Sequence, residues 1–203
     1  MYLNCHSYYS FKYGTMSPEQ LLQEAQQKGV SSLALSDINN TSGILDFFRK
    51  ASGFHIKPVA GIDFRNNTEQ HFIGVAKNID GFRELNDLLS LRLKDKKEID
   101  SRAPKFDHAF IIYPFNHAPR QLSENEFIGI KYSDFNKLIF SDIRFLRNKL
   151  VVLQPVTFLE KDYREIDNRK VTFDHRHIHH AHRLLRAIDG PRTGVASGKR
   201  GSR

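Results

Sequence analysis

The sequence predicts an α/β fold built from βα units, on three observations. Short apolar runs alternate with segments whose apolar residues recur at helical spacing. About seven such runs occur, a number that suits a small closed barrel. Several end in His or Asp just before a loop, where barrel and open α/β folds mount their chemistry. With 203 residues and 39% hydrophobic content, the chain can bury the core of one domain of ordinary size.

Tyr2, Leu3 and Cys5 form the first strand, which ends at His6. Ser17-Pro18-Glu19-Gln20 starts a helix: Ser17 is the N-cap, Pro18 sits where its missing N–H costs nothing, and Gln20 completes a capping box. Leu21, Leu22 and Ala25 supply its buried face, and Gly29 stops it. A second strand, Val30 to Leu35, runs into Ser36-Asp37-Ile38-Asn39-Asn40. The next helix is expected to turn Ile44, Leu45, Phe47, Phe48 and Ala51 inward and to end at Gly53. The third strand, Ile56 to Phe64, carries Asp63, and a turn at Asn66-Asn67 leads to a hairpin partner from His71 to Ala76.

A third helix, from about Asp80 to Lys94, has Phe82, Leu85, Leu88 and Leu89 on one face. Lys94 to Lys105 has no apolar period and reads as a solvated connection. Strands at Ala109–Phe115 and Phe127–Tyr132 follow. Ser133 is then expected to cap a helix with Phe135, Leu138, Ile139, Ile143 and Leu146 inward, and Leu150–Val156 is the last strand. From Lys161 the pattern deteriorates. His175, His177, His179, His180 and His182 crowd together, and Gly190 to Arg203 has almost no apolar content, which predicts a disordered basic tail.

A single cysteine, Cys5, excludes an intrachain disulfide framework and fits a reducing compartment. The N-terminus enters a strand without a signal-peptide layout, and no apolar run approaches the roughly 18 residues of a membrane span, so the expectation is a cytoplasmic protein with no membrane partner. A net charge of +8 favours polyanionic partners, nucleic acid first.

Taken from the residues alone, His6, Asp37, Asp63 and His71 are candidate metal ligands. Imidazole and carboxylate converging at one rim suit Zn²⁺, Mn²⁺ or Fe²⁺, whose chemistry there would be hydroxide generation and phosphoester hydrolysis. The competing reading makes each a strand-end polar residue, and Asp37 suits an Asx turn or N-cap. The histidine-rich stretch reads as a solvated basic segment. No phosphate-binding G-x-x-x-x-G-K-[ST] loop and no G-x-S-x-G elbow occurs.

The run Leu3-Asn4-Cys5-His6-Ser7-Tyr8-Tyr9-Ser10, with a capped helix behind it, resembles the start of the PHP (polymerase and histidinol phosphatase) domain. The likeness is strongest to the form found at the N-terminus of bacterial DNA polymerase III α subunits. Asn39-Asn40-Thr41-Ser42-Gly43, Ile56-Lys57-Pro58 and Val75-Ala76-Lys77-Asn78 with Gly81-Phe82 resemble that branch, and His182 to Asp189 looks like the helix leading toward the polymerase. The resemblance implies a distorted seven-stranded βα barrel over residues 1–158, a leading segment over 159–189 and a tail over 190–203.

It also implies a metal cluster. Its ligands would come from H-x-H on the first strand, T-D-H after the second, a glutamate after P-x-x-G, a histidine opening the next strand, a late D-x-H pair, and one further ligand in the middle of the domain for which no residue here is assigned. Here His6, Asp37 and His71 match, and Asp63 is a shortened stand-in for the glutamate. Asn4 and Ile38 replace two of the histidines, and the late pair falls on Pro155 and Thr157. The expectation is a degenerate site, with a residual mononuclear position at His6, Asp37, Asp63 and His71 for one Zn or Mn ion.

The family's polymerase palm lies beyond its PHP domain. The chain therefore reads as a truncated or partial α subunit of a DNA-directed DNA polymerase (a nucleotidyltransferase) in DNA replication, with DNA and other replication subunits as partners of the full-length protein. Three functions compete: a structural module, a metal-dependent phosphoesterase or 3′–5′ exonuclease, and a basic nucleic-acid-binding module.

Overall fold

Seven strands lie side by side in chain order in a computed structural model that describes residues 1–157. They are β1 (Tyr2–Cys5), β2 (Ser32–Leu35), β3 (Lys57–Asn66), β4 (Glu69–Ala76), β5 (Ala109–Pro114), β6 (Glu126–Ile130) and β7 (Leu150–Val152). Pairing is parallel from β1 to β3, antiparallel from β3 through β4 to β5, and parallel again from β5 to β7. The sheet curls into a half-barrel. Beyond β7 the chain swings back to the first strand, where Val156 forms a parallel bridge with Cys5. The Val156 N–H donates to Asn4 O at 2.8 Å and its carbonyl accepts from His6 N at 2.9 Å.

Among the described residues four α-helices accompany the strands: α1 (Pro18–Gln27), α2 (Ile44–Ala51), α3 (Ile79–Asp95) and α4 (Phe135–Ile139). Inside the curl, Ile73, Val75, Ile112 and Leu153 pack with Leu3, Val59 and Phe127. On the outer face, α1 and α2 bury Leu21, Leu22, Ile44 and Phe47 against Tyr2, Cys5, Leu33 and Leu35. Leu85 and Leu89 of α3 cover Ile62, Phe64, Phe72 and Tyr113. This two-sided burial explains why β2 and β5 read as continuous apolar runs.

The α1 boundaries follow the expected chemistry. Ser17 and Gln20 form the capping box around Pro18, and Gly29 takes the left-handed conformation (φ 65°) just past the end. Elsewhere helical spacing misleads. Ile44, Phe47 and Ala51 are buried, but Leu45 is 78% exposed and Phe48 is also exposed; both line a surface groove with Pro58, Val59 and Phe82. An eight-residue helix buries one narrow stripe, and an apolar residue beside the stripe stays in water.

The last predicted helix is shorter than its apolar pattern suggests. Ser133 lies inside a 3-10 turn (Tyr132–Asp134) and caps nothing, and α4 ends at Ile139. Both the amide and the hydroxyl of Ser141 donate to Leu138 O, closing the helix early. Short 3-10 turns (Asp142–Phe145, Arg147–Lys149) follow, and Ile139 and Leu146 are exposed. Strand β7 stops at Val152, short of the expected Val156, because Pro155 has no N–H for a ladder and the chain crosses to β1.

The stretch after α3 is also less solvated than its charge implied. Ile99 and Ala103 are buried, and Asn66 pins Ile99 by accepting from its N–H (2.8 Å) and donating to its carbonyl (2.9 Å). Nearby, buried Glu126 accepts from Tyr113 Oη (2.9 Å), Ser123 N (2.6 Å) and Arg102 Nη2 (2.6 Å). Burial, reinforced by that carboxylate, pushes the Tyr113 phenol up to about 12. The charged segment after Phe158, the histidine cluster, the helix expected at 182–189 and the tail lie outside the described residues.

Candidate functional site

The candidate site sits where β1, β2 and β3 meet their following loops. His6 is the residue after β1, Asp37 is the second residue after β2, and Asp63 lies within β3. Backbone bonds lock the last two side by side: Asp63 N donates to Asp37 O (3.1 Å) and Asn39 N donates to Asp63 O (3.0 Å), while Ile38 bridges to Asp63. The bridge between Cys5 and Val156 sets Pro155 and Thr157 alongside Asn4 and His6. Residues far apart in sequence thus converge by strand order alone.

The side chains divide into two groups. His6 Nε2 lies 3.0 Å from Asp63 Oδ2, and against an acceptor-only carboxylate it must be the donor. Both residues are fully buried. Asp37 is equally buried but faces the loop after β1. Its Oδ1 accepts from Ser7 N (2.7 Å) and Ser10 Oγ (2.6 Å), and its Oδ2 accepts from Ser7 Oγ (2.7 Å). Ser10 Oγ in turn accepts from Ile38 N at 2.9 Å. Asp37 is therefore the peg on which the loop hangs; it makes neither the Asx turn nor the N-cap of the competing reading, since α2 is capped at Gly43 and the Asp37 partners lie on the loop after β1.

His71 lies on β4 where the register with β3 shifts between Phe64 and Arg65. It is buried and both its ring nitrogens lack a hydrogen-bond partner. Asn4 Oδ1, His6 Nδ1, Asp63 Oδ1 and Thr157 Oγ1 are also buried without partners.

Sequence reasoning missed Arg65 and Gln70. Arg65 is two residues after Asp63, so both side chains leave β3 on the same face. Its Nε (2.9 Å) and Nη2 (2.6 Å) both donate to Asp63 Oδ2, which also accepts from Gln70 Nε2 at 2.8 Å. The guanidinium stacks over the Tyr13 ring, 4.9 Å from its centre. Asn39 fixes the strand beneath it, accepting from Arg65 N (3.0 Å) and donating to Arg65 O (2.7 Å). Burial would raise the Asp63 carboxyl, but His6 and Arg65 more than offset this and hold it below the usual carboxylate range. The spacing of Asp63 and Arg65 on one strand was the available signal.

The sequence matches the PHP domain family over residues 3–141, more than half of the chain. The chain belongs to the PHP family. Its relatives include DNA polymerase III subunit alpha of Ureaplasma parvum, 31% identical over 83 residues, which is 41% of this chain and 8% of that protein. Error-prone DNA polymerase of Symbiobacterium thermophilum is 34% identical over 90 residues, 44% of this chain and 8% of that protein. DNA polymerase III subunit alpha of Escherichia coli K12 is 30% identical over 96 residues, again 44% and 8%. The PHP domain here is thus homologous to that of bacterial DNA polymerase III α subunits, and the chain spans a small fraction of their length. Among solved structures, an amidohydrolase from Chromobacterium violaceum is 21% identical with a TM-score of 0.37, covering 46% of this chain and 32% of that one.

The metal cluster implied by the PHP resemblance does not fit the residues present. Among the described residues, no three His, Cys, Asp or Glu side chains group so as to hold a metal ion. Asn4, Ile38, Pro155 and Thr157 stand at four of the expected ligand positions, the Asp37 oxygens are taken by the loop, and a guanidinium lies on Asp63. Of the four candidates, the structure joins His6 directly to Asp63; Asp37 is adjacent through its backbone, and His71 bonds to none of them. No helix among the described residues is long and apolar enough to cross a membrane.

Proposed function

We propose that this chain is the PHP module of a DNA polymerase III α-type protein, and that it supports the polymerase in DNA replication without hydrolysing phosphoesters itself. Asp37 carries this reading. Its two carboxylate oxygens accept three hydrogen bonds from Ser7 and Ser10, so the aspartate that matches the family's T-D-H motif serves the loop. Two-metal hydrolysis needs ions that clamp both the attacking and the leaving oxygen. With four ligand positions replaced and Asp37 engaged, the donors for a second ion are missing. DNA and other replication subunits are partners of the longer polymerase that such a module would serve, and nucleotide incorporation belongs to its palm.

The test is hydrolysis of bis(4-nitrophenyl) phosphate and of single-stranded DNA with Mn²⁺ or Zn²⁺, by the full chain and by His6→Ala. Equal background rates are expected. Substantial hydrolysis that His6→Ala abolishes would replace this reading with the phosphoesterase or exonuclease one.

A further inference from the structure

The cation that rests on Asp63 is part of the chain itself. Arg65 reaches Asp63 Oδ2 through two nitrogens, its side chain is only 11% exposed, its guanidinium lies over the Tyr13 ring, and Asn39 holds its backbone on both sides. A divalent ion on His6 and Asp63 would lie beside the guanidinium that donates to Asp63 Oδ2 at 2.6 Å, and the like charges would repel. His6 Nδ1 and Asp63 Oδ1 are buried and unpartnered, as are both ring nitrogens of His71 on the neighbouring strand β4. These are donors of the kind a metal takes, on β3, β4 and the end of β1.

We propose that Arg65 is the resident cation of this fold, neutralising Asp63 in place of a divalent ion, and that removing its charge uncovers a divalent-cation site built on His6 and Asp63. This rests on the degenerate-site reading above. A buried carboxylate needs a positive partner. A covalently attached one is always present, so the fold becomes independent of metal supply. The arginine also keeps a divalent ion away from His6 and Asp63.

The experiment compares the 203-residue wild-type chain with Arg65→Met, which keeps the length and loses the charge, and Arg65→Lys, which keeps a charge. Melting is followed in EDTA and in Mn²⁺, and Mn²⁺ binding by calorimetry. The wild type and Arg65→Lys should melt at the same temperature in both media and bind no Mn²⁺ in a His6-dependent way. Arg65→Met should melt about 10 °C lower in EDTA, since it leaves a buried carboxylate unpaired, and recover part of that in Mn²⁺. Its Mn²⁺ binding should vanish in Arg65→Met with His6→Ala; binding by the histidine-rich segment is common to both proteins and cancels in the difference.

Should Arg65→Met not fold, Asp63→Asn with Arg65→Met removes both charges and should restore a cooperative melt that is indifferent to Mn²⁺. Failure of that double variant to fold would count against the charge argument. An Arg65→Met protein as stable as wild type in EDTA, or one deaf to Mn²⁺, overturns the proposal. So does His6-dependent Mn²⁺ binding by the wild type. None of these outcomes touches the supporting-module reading unless the wild type also hydrolyses phosphodiesters.

Discussion

Replacing Asp37 by alanine removes the acceptor for three donors at once: Ser7 N, Ser7 Oγ and Ser10 Oγ, all within 2.7 Å of a carboxylate oxygen. Each buried donor left without a partner costs about 1–3 kcal/mol. The two hydroxyls can turn toward other acceptors, whereas the Ser7 amide cannot, so the loss is about 3–5 kcal/mol. That is a large share of the roughly 5–15 kcal/mol that holds a domain together. With a urea slope of about 2 kcal/mol per M, the unfolding midpoint should fall by about 2 M. Asp37→Asn keeps one oxygen to accept from Ser7 N and Ser10 Oγ, and its amide can donate to a rotated Ser7 hydroxyl, so its loss should be about 1 kcal/mol. Urea denaturation of the 203-residue proteins measures both. If Asp37→Ala is as stable as wild type, the loop does not depend on Asp37 and the argument that its carboxylate is engaged fails.

Because its folded value is depressed, Asp63 contributes stability that is present above about pH 4 and lost as pH falls through that lower value; acid denaturation of Asp63→Asn should be correspondingly shallower. Tyr113 has the opposite sign: its contribution is complete below about pH 10 and disappears as pH rises through about 12. Tyr113→Phe should flatten that alkaline limb in a circular-dichroism titration and cost about 1–2 kcal/mol at neutral pH by leaving Glu126 short of a donor. At Gly129 a Cβ would stand 2.6 Å from Leu153 Cβ, so Gly129→Ala should lose about 1–3 kcal/mol in the same urea assay, whereas Gly53→Ala, with nothing within 4 Å, should stay within about 0.5 kcal/mol.

Much of the fold was legible because its signals are local. Ser17, Pro18, Gln20 and Gly29 each satisfy a backbone requirement of α1, and Asn66-Asn67 turns β3 into β4 whatever lies beyond. What sequence pattern could not supply was direction. Leu45 and Phe48 fit the helical period of α2 but lie beside its buried stripe, and Ile99 looked solvated until Asn66, far away in sequence, was seen to hold it. The site shows the same limit. The strands that place His6, Asp37 and Asp63 were readable, yet an aspartate on or just after a strand looks alike whether it faces an ion, a loop or an arginine. The difference lies in Ser7, Ser10 and Arg65, whose side chains reach these carboxylates only once the strands are aligned.

The crossing of Val156 onto β1 fixes where the chain leaves the barrel. Thr157 accepts from Thr15 N, and Val156 bonds both Asn4 and His6, so the chain departs from the rim on which the His6–Asp63 pair is mounted. Anything joined after Thr157 is tethered to that rim, and tension along the tether reaches His6 through one hydrogen bond. A slip of one residue there would break the contacts to Asn4, His6 and Thr15 together, freeing the edge of β1 and loosening the strand end from which Asp63 receives its histidine. The tether and the buried His6–Asp63 pair therefore form one mechanical unit.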